Sequence, residues 1–131
     1  MTELELQAQV ADYIRLRYPS VIFHSDFGSG IKLTMGQAIR QKRLNGGRRA
    51  WPDMVLAESR GGYGALFIEL KKEGTRIFKK DGTLVSDAHI REQFDMLAEL
   101  RNRGYAAEFG IGFEGTKKLI DDYMEGKLCE D

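Results

Sequence analysis

The sequence predicts a mixed α/β domain whose elements run helix, strand, strand, strand, helix, strand, helix. Three observations carry this. Residues 2–18 and 86–103 repeat apolar side chains at helical spacing and end on breakers, Pro19 in one case and Gly104 in the other. Met54 to Ala57 and Ala65 to Lys71 are short apolar runs joined by a turn holding three glycines, the pattern of an antiparallel hairpin. A further β-prone run, Tyr105 to Phe113, follows the second helix and leads into a final helical stretch at 116–126.

At 131 residues the chain fits one domain, 1–131 with its core over about 3–113, large enough to bury roughly two thirds of its unfolded surface. Hydrophobic residues at 42% with charged residues at 31% exclude disordered and membrane chains. No apolar run approaches bilayer length, and the first ten residues carry two glutamates where a signal peptide would carry positive charge. An intracellular, cytoplasmic protein without a membrane partner is expected. The single cysteine, Cys129, can build neither an internal disulfide nor a cysteine zinc site.

Net charge is zero, which taken alone argues against nucleic acid, but its distribution is uneven. No acid lies between Asp26 and Asp53, an interval holding Lys32, Arg40, Lys42, Arg43, Arg48 and Arg49, whereas the tail from Glu114 is acidic. A basic and an acidic side of the fold would follow. A plain solvated face explains such a run about as well.

In the first helix Thr2 is the N-cap with Glu5 as its capping-box partner. The inward stripe is Leu6, Val10, Tyr13, Ile14 and Arg17; extended backwards it reaches Gln7 and Glu3, while Glu5, Gln9 and Asp12 face solvent. Glu3 therefore points to the core side, unless the first turn frays. Val21 to His24 forms a short strand, and Phe27-Gly28-Ser29-Gly30 opens a flexible loop. His24 and His89 have no ligand partner at a useful spacing, so a surface or satisfied structural role is the commoner situation for both. Thr34 to Leu44 makes a short helix with a thin apolar edge of Met35, Ile39 and Leu44, stopped at Asn45-Gly46-Gly47. Arg48, Arg49 and Trp51 then lead to Pro52-Asp53; two cations and a ring beside an acid suit a nucleic-acid backbone, although a core role for Trp51 is the commoner one.

Alternation in the second hairpin strand puts Ala65, Phe67, Glu69 and Lys71 on one face and Leu66, Ile68 and Leu70 on the other. Three ionisable groups, Asp53, Glu69 and Lys71, thus meet at the edge of a core, where unpaired charges cost several kcal/mol. A divalent cation relieves that cost. Mg²⁺ is held by one or two carboxylates plus waters and phosphate, and Asp53, Glu69 and the carbonyl of Leu70 could supply the protein's share. The metal would activate water and clamp a phosphate, with Lys71 orienting the water and neutralising the developing charge: metal-assisted phosphodiester hydrolysis. Thr75 to Val85 reads as an inserted hairpin around Asp81-Gly82 carrying Arg76, Lys79 and Lys80, either for substrate grip or for solubility. Ser86 or Asp87 caps the second long helix, whose apolar face is Ile90, Phe94, Leu97, Leu100 and the stem of Arg101, with Gln93 on that same face.

Pro52-Asp53 followed sixteen positions later by Glu69-Leu70-Lys71 is weak as bare text, but the flanking helices strengthen it. Glu3-x-x-x-Gln7, a small residue before Pro-Asp, Glu-x-Lys, and a helix opening on Ser86 with Gln93 seven positions on together resemble the VRR-NUC branch of the PD-(D/E)XK nucleases. The resemblance implies a restriction-endonuclease-like core (α-β-β-β-α-β) with an inserted basic β-hairpin, Mg²⁺ or Mn²⁺ dependence, and cleavage of branched DNA. It also implies a stand-alone phage type acting in a bacterial host, similar to Holliday-junction resolvases and homodimeric. Asp53 and Glu69 would bind metal with the Leu70 carbonyl, Glu3 would complete the site directly or through water with Glu5 as the alternative, Lys71 would activate the water and Gln93 orient it. Arg48, Arg49, Arg76, Lys79 and Lys80 would contact DNA. Ala50 stands where the family often has Gly. Two other readings stay open: an idle nucleic-acid-binding or assembly protein on the same scaffold, and a restriction-type or exonucleolytic enzyme.

Overall fold

The computed structural model describes residues 1–26 and 32–128. Its elements are α1 (Glu3–Arg17), β1 (Phe23–Ser25), α2 (Met35–Leu44), β2 (Met54–Leu56), β3 (Leu66–Lys71), α3 (Ala88–Asn102), β4 (Ala106–Ile111) and α4 (Gly112–Met124). The four strands form one sheet in the order β1-β2-β3-β4, the first two pairings antiparallel and the last parallel. Right-handed crossover through a helix is the usual way to place a parallel neighbour, and α3 fills that connection here. The expected α-β-β-β-α-β order is therefore present. Among the described residues no helix is long and apolar enough to cross a membrane.

Every residue of β3 is buried, because helices cover both sheet faces. Leu66, Ile68 and Leu70 join Leu6, Val10 and Ile14 of α1 and Ile120 and Tyr123 of α4 in one cluster. Phe67 and Ala65 join Met96, Leu97 and Leu100 of α3 in the other. The alternation read from the sequence thus sorts β3 correctly between two cores. It also assigns Glu69 and Lys71 to the α3 side.

Local chemistry sets the element ends. Thr2 and Glu5 close a reciprocal capping box on α1, and Thr34 and Gln37 do the same on α2. Asp87, the second of the two expected caps, accepts from the backbone of His89 and Ile90 and starts α3. Gly112, at φ +68°, turns β4 directly into α4, so the last helix begins four residues before the expected Thr116 and the strand ends at Ile111. Asp121 of α4 accepts hydrogen bonds from Tyr13 (2.5 Å) and Tyr18 (2.7 Å), tying α4 to α1 and its C-cap. Burial and this carboxylate push the Tyr18 hydroxyl up to about 12.

Several expectations are corrected. Arg17 is exposed and leaves the inward stripe of α1, since the chain turns away at Tyr18 before a partner reaches that last turn. The first strand is Phe23–Ser25, shifted from Val21–His24. Around Asp81-Gly82 the hairpin keeps a backbone turn but pairs only through the bridge Phe78↔Leu84, with Ile77 buried as its anchor. Met96 belongs to the α3 core. In α2 no residue is buried: Met35, Ile39 and Leu44 stay exposed because no described element packs on the helix. Phe27 to Gly30, expected to open a flexible loop, and Cys129 lie outside the described residues.

Candidate metal centre

The site forms where β2 and β3 outrun their pairing. Pro52 is buried and lacks an N–H, so the β2 ladder begins only at Met54, which pairs with Ile68. Past that pair the edge of β3 is open, and Asp53 Oδ2 takes the N–H of Leu70 at 2.8 Å. A strand residue's N–H and C=O point to the same edge, which leaves the Leu70 carbonyl on the Asp53 side as well. Asp53 is set from the other side just past the end of β1, where Asp26 N–H donates to the Asp53 carbonyl (2.8 Å). Gln7, buried in α1, donates to the Asp26 carbonyl (3.0 Å) and so fixes that junction.

Glu69 is 6% exposed. Burial first and the neighbouring Asp53 carboxylate second raise its carboxyl to about 9, with the charge of Glu3 adding to the effect and Lys71 opposing it. Gln93 reaches down from α3 and donates to Glu69 Oε1 at 2.6 Å, while its own Oε1 is buried without a partner. Two carboxyls drawn together in a buried setting, with an orphaned amide oxygen beside them, are a donor set suited to a hard cation and its waters. Among the described residues no three His, Cys, Asp or Glu side chains converge as a complete metal-binding group. Two carboxylates suffice for Mg²⁺, the remaining positions going to water and phosphate.

Glu3, Asp53, Glu69 and Gln93 line one open cleft of about 860 Å³, together with Arg48 and Arg49. Glu5 is exposed, caps α1 through Thr2 and is absent from that wall, so of the two acids it is Glu3 that faces the cleft. Lys71 is buried two residues along β3 and Leu70 one residue along; neither lines the cleft surface. Arg76, Lys79 and Lys80 are exposed on the inserted loop, which packs on α3 through an edge contact of Phe78 with Phe94 and does not line the cleft. Arg48 is paired with Glu99 at 2.5 Å.

Trp51 is 48% exposed, not a core residue, and stands edge-on to Phe67 with ring centroids 5.3 Å apart. Ala50 before it has φ +61°, a left-handed conformation that aims Trp51 and Pro52 into place. The opposite wall is α2, contributing Met35, Ile39 and Lys42. His89 is on the cleft wall too, one turn before Gln93. Their spacing of four on one helix is the signal that would have grouped them from sequence.

No family model matches the chain. No curated protein matches it either. Among solved structures, a protein described as "VRR_NUC domain protein" superimposes with a TM-score of 0.67 at 22% identity, over 96% of this chain and 90% of that one. At that identity the match speaks for architecture, and the fold of this chain is that of a VRR_NUC domain protein.

Proposed function

We propose that this protein is a divalent-metal-dependent DNA endonuclease hydrolysing phosphodiester bonds, with branched DNA such as Holliday junctions or flaps as its substrate class. The observation that carries the reading is the pairing of the Asp53 and Glu69 carboxyls beside Lys71 and Gln93, on the wall of an open cleft flanked by cations. A fold shared with a VRR_NUC domain protein supports it. Holding Glu69 charged next to Asp53 without a cation is costly, and a nuclease gives both carboxyls a use.

Asp53, Glu69 and the Leu70 carbonyl would hold Mg²⁺ or Mn²⁺, with Glu3 joining through water. Such a cation supplies an activated water and neutralises charge on the phosphate. Gln93 does two jobs: its amide N–H fixes the Glu69 carboxylate, and its orphaned Oε1 accepts a proton-bearing water and sets the direction of attack. Lys71, on the Glu69 face of β3, orients that water from the protein side and offsets the negative charge as the phosphorus centre becomes five-coordinate. Arg49, and Arg48 on exchanging Glu99 for a phosphate, pair with the backbone along the cleft, and Arg76, Lys79 and Lys80 with phosphates farther along the duplex. Trp51 offers an exposed ring on which a base next to the cut stacks. Symmetric cuts across a four-way junction need two clefts, so we place a homodimer on the substrate.

The test is a cleavage panel of linear duplex, flap, single strand and four-way junction with Mg²⁺. Faster cutting of the branched substrates supports the reading. Equal rates on linear duplex would instead make it a restriction-type enzyme, and no cutting of any substrate would leave a binding protein.

A further inference from the structure

His89 is exposed on the cleft wall that Glu3, Asp53 and Glu69 share, yet the chemistry above gives it no part. Its ring makes one contact that sets its orientation. Nε2 lies 3.2 Å from Gln93 Nε2, and that amide nitrogen also donates to Glu69 Oε1 at 2.6 Å. An amide nitrogen can only donate, and it has two hydrogens. With the Gln93 amide in this orientation, one goes to Glu69 Oε1 and the other to His89 Nε2, which accepts it. The proton of the imidazole is then on Nδ1.

We propose that His89 is a further substrate-contacting residue, held by Gln93 so that Nδ1–H donates a hydrogen bond to a phosphate oxygen of the strand lying in the cleft. This rests on the nuclease reading above. Several parts of the geometry converge on it. His89 is in the first turn of α3, where its backbone N–H is held by the Asp87 cap, which fixes the base of the side chain. The ring is on the same helix face as Gln93, so a phosphate bound at the carboxyl pair is within the same cleft. A single relay, His89 to Gln93 to Glu69, would couple the group that grips the phosphate to the carboxylate that needs it close. Gln93 then has a dual function, and replacing it disturbs both ends.

The chain has two histidines, and His24 is on β1 opposite Val55, so the ring signals of His89 can be assigned by one substitution. Long-range proton–nitrogen correlation spectra of the whole protein are expected to show His89 as the Nδ1–H tautomer, and Gln93→Ala to release it to a mixture. A four-way DNA junction added with Ca²⁺, to bind without cutting, is expected to shift the His89 ring signals and leave those of His24 in place. His89→Ala is expected to weaken junction binding about tenfold, the usual weight of one hydrogen bond to a charged oxygen. His89→Asn, whose amide nitrogen occupies the Nδ1 position, is expected to recover most of it. An Nε2–H tautomer in the parent, meaning a reversed Gln93 amide, overturns the proposal. So do unmoved His89 signals, the result if Nδ1 instead serves Glu92 on the same wall, and so does unchanged binding by His89→Ala. If the parent binds junctions with these signatures but cuts no DNA, the nuclease reading fails and the His89 contact stands.

Discussion

Glu69 sits where a carboxylate is hardest to keep charged, and its surroundings set a measurable pH dependence. Its ordinary value is 4.5 and its folded value about 9, so it favours the folded state fully below 4.5, and that contribution is lost as pH rises through 9. Metal-free parent protein is therefore expected to lose on the order of a few kcal/mol of stability across that window, while Glu69→Gln, neutral throughout, stays level. Denaturant melts at a series of pH values check this; parallel curves for the two proteins would contradict it. Mn²⁺ should restore the parent at high pH and leave Glu69→Gln unmoved. Ala50 offers a second test. At φ +61° an alanine is strained by about 1–2 kcal/mol, and glycine loosens the unfolded chain by about 0.4–1 kcal/mol, so Ala50→Gly should raise stability by roughly 0.5–1 kcal/mol. Destabilisation by that substitution would mean Ala50 is not left-handed in solution.

Elements inform on what a sequence can and cannot say. The capping boxes at Thr2 and Thr34 and the alternation along β3 are legible because each is local: a cap needs three residues and a strand face needs two. Glu69 with Lys71 on one side follows from period alone, whereas Glu3 facing inward rests also on the other acids expected at the same place. What is not legible depends on neighbours. Met35, Ile39 and Leu44 read as a thin apolar edge of α2, but nothing in the chain before or after them announces that no described element would cover that edge. Trp51 reads as core by composition and becomes half-exposed because Ala50 turns the backbone ahead of it. The start of α4 differs from expectation for a like reason: Gly112 reads as strand until its positive φ is known. The β4 to α4 junction gives a further expectation. At Gly110 an added Cβ would come within 2.6 Å of Thr116 Oγ1 and 2.9 Å of Ile68, in a buried layer. Gly110→Ala should cost roughly 1–3 kcal/mol, read as a lowered denaturant midpoint with unchanged slope. A change below about 0.5 kcal/mol would show that α4 can shift on the sheet.

At the scale of the whole molecule, a chain of zero net charge is proposed to bind a polyanion, which works only if its cations are gathered on one side. The cleft gathers Arg48 and Arg49 with Lys42, whereas Arg76, Lys79 and Lys80 extend from the loop beyond α3. Neutralising the first pair and then the loop trio should lower the slope of log binding constant against log salt by about one for each phosphate left without its cation. A slope that does not change for the trio would remove the loop from the interface. Both cation groups matter less than the centre they surround. The most direct measurement is cleavage of a four-way junction with Mg²⁺ by the parent, Glu69→Ala and Lys71→Ala proteins, each first shown to be folded. The parent should cut and both variants should be slowed at least a hundredfold, about the loss expected when a metal ligand or a charge-stabilising group is removed. Cutting by either variant at the parent's rate would contradict the assignment of metal and proton chemistry to β3.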